Sequence, residues 1–443
     1  METVIIFALG VLVIALGLII SIALHEWGHY VPAKKFGVYV SQFMIGFGPT
    51  LFSRQRGETE VGFKAIPLGG YVAMAGMYAP APGERSGEVS TTGFFDKVVG
   101  EDRTVAEKSV EEDMDARSFY RLSLPKRITI MLGGPLMNLI IAVVLYAVVF
   151  VGFGIPSLSL GVGSVSECVI SATQTRDECL PEDPTAPGAQ SGILPGDQIV
   201  SLDGQPVESW FAVTEIIRAS PGRALAVGVE RGSQSLVLSL TPLLTERYAF
   251  DEDGEILLDT ERNPIVEQVG FAGIGSSFEN QRQSIVTVFP AVWDNIVGVG
   301  RVIVTLPQRL IDVAQAAFGP EERDPNGPIS VVGVGRIAGE IATVDTMAVR
   351  DRVASLIGIV ASLNVALFVF NLVPLLPLDG GHVAVALYEG TKRRAFALLG
   401  KADPGPVNAS KLMPMTLVVI GLLGAMSLLL IYADIVNPIR LFS

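Results

Sequence analysis

The sequence predicts a polytopic α-helical membrane protein with about four transmembrane helices, a small membrane-associated β-sheet and an extracytoplasmic α+β domain. Three observations carry that reading. Hydrophobic residues make up 49% of the 443-residue chain and charged residues only 17%, a mix that suits membrane spans joined to a sizeable soluble part. Four apolar stretches are long enough to cross a bilayer: Thr3–Leu24, Ile128–Phe153, Val353–Val373 and Leu412–Ala433. Between the second and third lies a long acidic region with the punctuation of strands and turns. The net charge of −13 leaves no basic face to neutralise phosphates, which argues against nucleic acid as a partner.

Residues 1–32 read as transmembrane helix 1. From Thr3 to Leu24 there is no charged residue, and the run ends in His25-Glu26-Trp27-Gly28-His29, an H-E-x-x-H motif. Positions four apart share a helix face, so both imidazoles can hold one metal ion, with Glu26 beside them to act on a water. Ionisable side chains at membrane depth are costly, which makes them a functional signal. A zinc site here implies hydrolysis of peptide bonds within the membrane. A signal peptide fits poorly: only Glu2 precedes the run, and no small-residue cleavage site comes before His25.

Residues 33–127 read as a cytoplasmic region with membrane-associated β-hairpins. Ser41–Met74 alternates apolar and polar residues between Gly and Pro breaks. Its edge near Gly69 and Gly70 is suited to pairing with an unwound peptide. Residues 79–117 are polar and charge-rich, and read as a mobile loop. Transmembrane helix 2, residues 128–154, carries Gly133-Gly134-Pro135-Leu136-Met137-Asn138. The small residues allow a close helix contact, and Asn138 needs a polar partner.

Residues 160–245 read as one folded domain. Asp203-Gly204 is a hairpin signal, followed by a helix over Trp210–Ala219 and strands over Ala224–Leu240. The string from Ala189 to Val207 resembles the core of a bacterial PDZ domain, present in one copy. Cys168 and Cys179 precede it. They are not spaced as a zinc ribbon and are placed to form a disulfide in an oxidising exterior. Residues 246–350 read as an extracytoplasmic amphipathic region. Its 281–318 stretch mixes apolar residues with Asp294, Arg301 and Arg309 and is broken at Pro290, so it is expected to lie on the outer membrane face. Residues 351–382 form transmembrane helix 3 with Leu378-Asp379-Gly380, residues 383–411 a cytoplasmic loop, and residues 412–434 transmembrane helix 4.

Charge orients these spans. Residues 31–127 carry 13 Lys and Arg, residues 383–411 carry 5 in a short stretch, and residues 153–350 carry 12 against 26 Asp and Glu. Lys34, Lys35, Lys126, Arg127, Lys392, Arg393 and Arg394 all flank span ends, which makes those ends cytoplasmic. Both termini and the acidic region are then extracytoplasmic in the cell membrane. His25 falls about 33 Å along helix 1, toward the cytoplasmic side, at the depth reached by Asp379 and His382.

A catalytic zinc has three protein ligands and one open position. His25 and His29 supply two, and the residues alone leave Asp379 and His382 as candidates for the third. The chain's three histidines thus fall in two motifs at one depth. Taken with Gly-Pro-x-x-Asn138 and Asn371-x-x-Pro374 followed by Leu378-Asp379-Gly380, the motifs resemble those of the site-2 protease family (M50), intramembrane zinc metalloproteases. The sequence is similar to the bacterial regulator-of-sigma-factor branch, and within it to single-PDZ members of actinobacterial type. The resemblance covers nearly the whole chain. It implies zinc held by His25, His29 and Asp379, Glu26 as the catalytic base, and Asn371 holding the substrate backbone. It also implies substrates that are single-pass membrane proteins such as anti-sigma factors, cut after another protease trims their outer domain. A transporter or receptor with a structural zinc is the competing reading; a closed four-ligand shell would have no need of Glu26. A membrane-anchored surface protease does not account for Asp379 beyond the third span.

Overall fold

The computed structural model describes residues 1–77, 89–91, 115–174, 176, 178–249, 256–259, 263–319, 323–324, 327–405, 407 and 412–439. The loop expected over 79–117 lies almost wholly outside them. The chain divides into two units, Met1–Phe153 with Ser284–Ser443, and Gly154–Gln283.

In the first unit, α1 (Glu2–Lys35) is one helix of 34 residues, about 51 Å long at 1.5 Å per residue. Glu2 in its first turn and Lys34 and Lys35 in its last each match the sign of the helix dipole. Strands β1 (Val40–Arg56) and β2 (Thr59–Ala75) are antiparallel and double back on each other. Phe43 pairs with both Val61 and Val72, and Ile45 with both Phe63 and Gly70. β3 (Val89–Thr91) pairs with Ala73, Met74 and Ala75 only, so no strand among the described residues flanks Gly70 on the side away from Ile45. Val40, Phe43, Val72 and Met74 bury one face of the sheet against Ala33, Ile130 and Met131. Helix α2 (Leu124–Ala147) continues as wider π turns through Val148–Phe153. It crosses α1 with backbones in contact: a Cβ on Gly28 would lie 2.7 Å from the Gly133 carbonyl carbon, so only glycine fits.

The second unit contains β4 (Ile155–Val165), the single turn α3 (Pro187–Gln190), β5 (Gln198–Leu202), β6 (Gln205–Pro206), α4 (Trp210–Arg218), β7 (Leu225–Arg231), β8 (Gln234–Leu240), β9 (Leu243–Tyr248), β10 (Val266–Phe271) and β11 (Ile274–Gln281). The main sheet runs β11-β4-β5-β7-β8, with β6 beside β5; β9 and β10 form a separate ribbon. Val162, Ile199, Val213, Val227 and Leu240 lie at its core. Asp203 (φ 49°) and Gly204 (φ 76°) make the two-residue turn that the sequence signals, with Leu202 paired to Gln205. Arg231 holds the buried Asp197 carboxylate at 2.7 Å and keeps its pKa below the usual range. Cys168 and Cys179 are joined as a disulfide, with Cα atoms 5.9 Å apart. The unit outruns the expected 160–245 at both ends, because β11 pairs with β4 from Ile274–Val165 to Gln281–Ile155.

The chain then returns to the first unit with α5 (Val288–Phe318), α6 (Val331–Thr343), α7 (Val349–Asn371), α8 (Asp379–Leu398) and α9 (Met413–Val436). Helix α6 packs on α1 and α7 through Ile14, Val334, Ala338 and Val360; α5 packs on α2 and α7 through Val288, Val292, Ala142 and Val365. At the end of α9, the buried Asp434 pairs with Arg323 and accepts the Ser330 backbone N–H at 2.6 Å, fixing the start of α6.

Three expectations change here. Pro290 does not break α5, since it sits in the first turn, where the missing N–H has no intrahelical partner to lose. Among the described residues five helices, not four, are long and apolar enough to cross a membrane; the fifth is Ile285–Phe318, whose mean hydropathy of 1.3 compares with 2.3–3.1 for the four expected spans. Lastly, helix 3 does not run on to residue 382. Pro374 and Pro377 bar helical backbone at the residues before them, so α7 stops at Asn371 and a new helix starts at Asp379. That helix continues to Leu398, well into the stretch expected to be a loop, and buries Ala386 and Glu389.

Candidate metal centre

His25 and His29 lie one turn apart on α1, so their rings share a face; the centroids are 4.9 Å apart. Asp379 is the first residue of α8. Its Oδ2 lies 3.4 Å from His25 Nε2 and 3.3 Å from His29 Nε2, and the two Nε2 atoms are 3.2 Å apart. A tetrahedral metal with bonds of about 2.0–2.1 Å holds its ligand atoms about 3.3–3.4 Å apart, so the triangle has the size that zinc requires. Asp379 Oδ2 is buried and has no hydrogen-bond partner, an atom that a cation would satisfy. Among the described residues these three form the group with ligand atoms suited to a metal ion.

Helix α2 sets the outer edges of both rings. His29 Nδ1 donates to the Ile130 carbonyl at 2.7 Å, which leaves Nε2 bare for a metal. His25 Nδ1 lies 3.1 Å from the Asn138 side-chain amide, whose Oδ1 is buried and unpartnered. A half-turn of that amide lets Oδ1 accept from Nδ1–H, which satisfies the orphan oxygen and gives His25 the same tautomer. Gly134 passes so close to the rings that a Cβ there would fall 2.8 Å from His25 Cε1 and nearer still to His29 Nε2.

Glu26 is buried and points to the sheet: a Cβ on Gly70 would lie 2.8 Å from its Cγ. Gly69, at φ 134°, lies against the Phe47 ring. Asn371 is the last residue of α7, half-buried, at the start of the turn that ends at Asp379. His382 follows Asp379 by one helical turn and is outside the three-ligand group. The structure thus brings together His25, His29, Asp379, Glu26 and Gly70. Sequence reasoning missed the Ile130 carbonyl, for which no side-chain signal exists. It noted that Asn138 needs a polar partner without placing that partner in the site.

Comparison with known proteins gives a consistent picture. A model described as peptidase family M50 matches residues 13–398. Zinc metalloprotease Rip1 of Mycobacterium tuberculosis (strain H37Rv) is 34% identical over 438 residues, covering 98% of this chain and 99% of that protein. Zinc metalloprotease Rip1 of Mycolicibacterium smegmatis is 32% identical over 452 residues, with the same coverage. Metalloprotease MmpA of Caulobacter vibrioides is 27% identical over 391 residues, 85% of each chain.

Proposed function

Because the chain belongs to peptidase family M50 and is a zinc metalloprotease, we propose that it hydrolyses peptide bonds inside the membrane, within the transmembrane segments of single-pass proteins such as anti-sigma factors. The observation that carries this reading is the ligand triangle of 3.2–3.4 Å built on the end of the apolar helix α1.

In this reading His25, His29 and Asp379 hold the zinc. The bound metal supplies a Lewis acid that polarises the scissile carbonyl and acidifies a water. Glu26 takes a proton from the attacking water and returns it to the leaving amine. A helical substrate hides its amides within its own turns, so it must be extended before it is cut. The β2 edge at Gly69 and Gly70, with Gly70 beside Glu26, offers backbone groups to such a strand, while Asn371 holds the substrate backbone from the α7 end. The exposed Leu51, Phe52 and Phe63 suit a sheet held in lipid. Helix 285–318, the weakest of the five apolar helices, lies on the outer membrane face in this account, which leaves four spans and both termini outside. The second unit is a PDZ domain that acts as a size filter for substrates with bulky outer domains.

Membrane proteomics tests the substrate class. In cells carrying Glu26→Gln in place of the wild-type chain, trimmed single-pass stubs should accumulate. If no single-pass protein changes between the two strains, that class is wrong.

A further inference from the structure

The metal centre has two halves that reach it on different helices, and one buried ion pair joins their supports. The buried stripe of α2 runs Arg127, Ile130, Met131, Gly134, Asn138 at helical spacing. Ile130 and Asn138 on that stripe hold His29 and His25. Arg127, one turn before Ile130, makes a two-pronged contact with Glu389 of α8, at 3.1 and 3.3 Å, with 8% and 4% of the two side chains exposed. Glu389 lies ten residues after Asp379 on the same helix, about 15 Å along its axis.

Asp379 Oδ2 has no hydrogen bond to steady it, so its position depends on where α8 is set. Val383 and the Gly390–Leu124 contact give α8 apolar grip on this end of the first unit; such contacts resist sliding poorly. A two-pronged arginine–carboxylate pair fixes both distance and direction. Arg393 approaches Glu389 at 3.5 Å, but from α8 itself, and its other partner is Asp403, so it ties α8 to nothing on α2.

We propose that Arg127 and Glu389 are positioning residues for the metal centre: their ion pair locks α8 to the face of α2 that orients both histidines, and so sets Asp379 at ligand distance from them. The proposal rests on the assignment of His25, His29 and Asp379 as the zinc ligands.

The test uses the full chain purified in detergent, with zinc measured by competition against a chromogenic chelator, alongside thermal unfolding and cleavage kinetics. Glu389→Gln strands Arg127 without changing side-chain shape. It should weaken zinc binding about tenfold or more, the lower end of the effect of losing an outer partner of a ligand, and lower kcat with little change in KM. Removing both charges, as Arg127→Met with Glu389→Met, leaves no stranded charge but also no lock, so the unfolding temperature should recover while zinc binding stays weak; recovery of wild-type zinc affinity in this pair would overturn the proposal. Arg127→Lys keeps the charge but not the two-pronged contact, and serves if Glu389→Gln does not fold; it should also weaken zinc binding. Asp434→Asn breaks the buried pair at the end of α9 and is the control: it should lower the unfolding temperature and leave zinc binding unchanged. Zinc affinity within twofold of wild type in both Glu389→Gln and Arg127→Lys would overturn the proposal, as would an equal loss in Asp434→Asn. If Asp379→Asn itself binds zinc normally, the ligand assignment fails instead.

Discussion

Replacing Gly134 with alanine should empty the metal centre while leaving the helices in place. The added methyl would lie 2.8 Å from His25 Cε1 and 2.7 Å from His29 Cε1, about 0.6–0.7 Å inside the 3.4 Å at which ordinary contact begins. Separating the helices to make room would break the close backbone packing of α1 on α2 at Gly28 and Gly133, whereas the rings can yield by turning about their side-chain bonds. The rings must therefore move. Metal sites tolerate errors of about 0.2 Å in ligand distance, so a shift three times larger should lower zinc affinity by at least ~100-fold, the top of the range for loss of an outer partner. The fold should lose only the about 1–3 kcal/mol typical of an overpacked site. Chelator competition gives the affinity, and thermal unfolding in detergent gives the stability. Gly358→Ala, where a Cβ meets nothing within 4 Å, should change zinc binding not at all. Wild-type zinc affinity in Gly134→Ala would mean that α2 does not hold the rings in place.

Three further outcomes follow. Asn138→Leu should lower zinc affinity about 10–100-fold by removing the partner of His25, whereas Asn138→Asp keeps an acceptor and should bind zinc nearly normally; chelator competition on both variants decides it. Cysteines placed at positions 100 and 400 should resist an impermeant thiol reagent in whole cells, and one at 255 should react; labelling at 100 would invert the topology. Deleting 154–283 is feasible because β4 and β11 pair end to end, and the shortened enzyme should cut substrates with intact outer domains. A deletion that leaves those uncut and slows cleavage of trimmed ones would replace the filter with a binding role.

The histidine pair was legible because helical spacing alone places positions 25 and 29 together. Asp379 is a candidate from its place in the chain, the family resemblance implies it as the third ligand, and the structure sets it beside both histidines. Its setting is harder to see: Pro374 and Pro377 carry a strong local signal for a break, yet the apolar residues on either side of them give the pattern of one continuous span. Helix α8 was hidden by its charged residues, because the burial of Glu389 depends on Arg127, 262 residues away. The pairing of β11 with β4 is equally non-local, and so the second unit looked shorter than it is. The doubling of β1 against both halves of β2 leaves only a hairpin pattern in the sequence, since bulges shift its register repeatedly. Asn138 announced a need for a partner, but only the helix crossing at Gly28 and Gly133 shows that the partner is His25.

In the proposed mechanism Glu26 moves the proton while His25, His29 and Asp379 hold the metal. The most direct test is zinc content and cleavage measured on the same purified Glu26→Gln protein, reconstituted with a single-pass substrate. That protein should hold zinc at the wild-type level and show no detectable cleavage. Cleavage near the wild-type rate with zinc bound would contradict it.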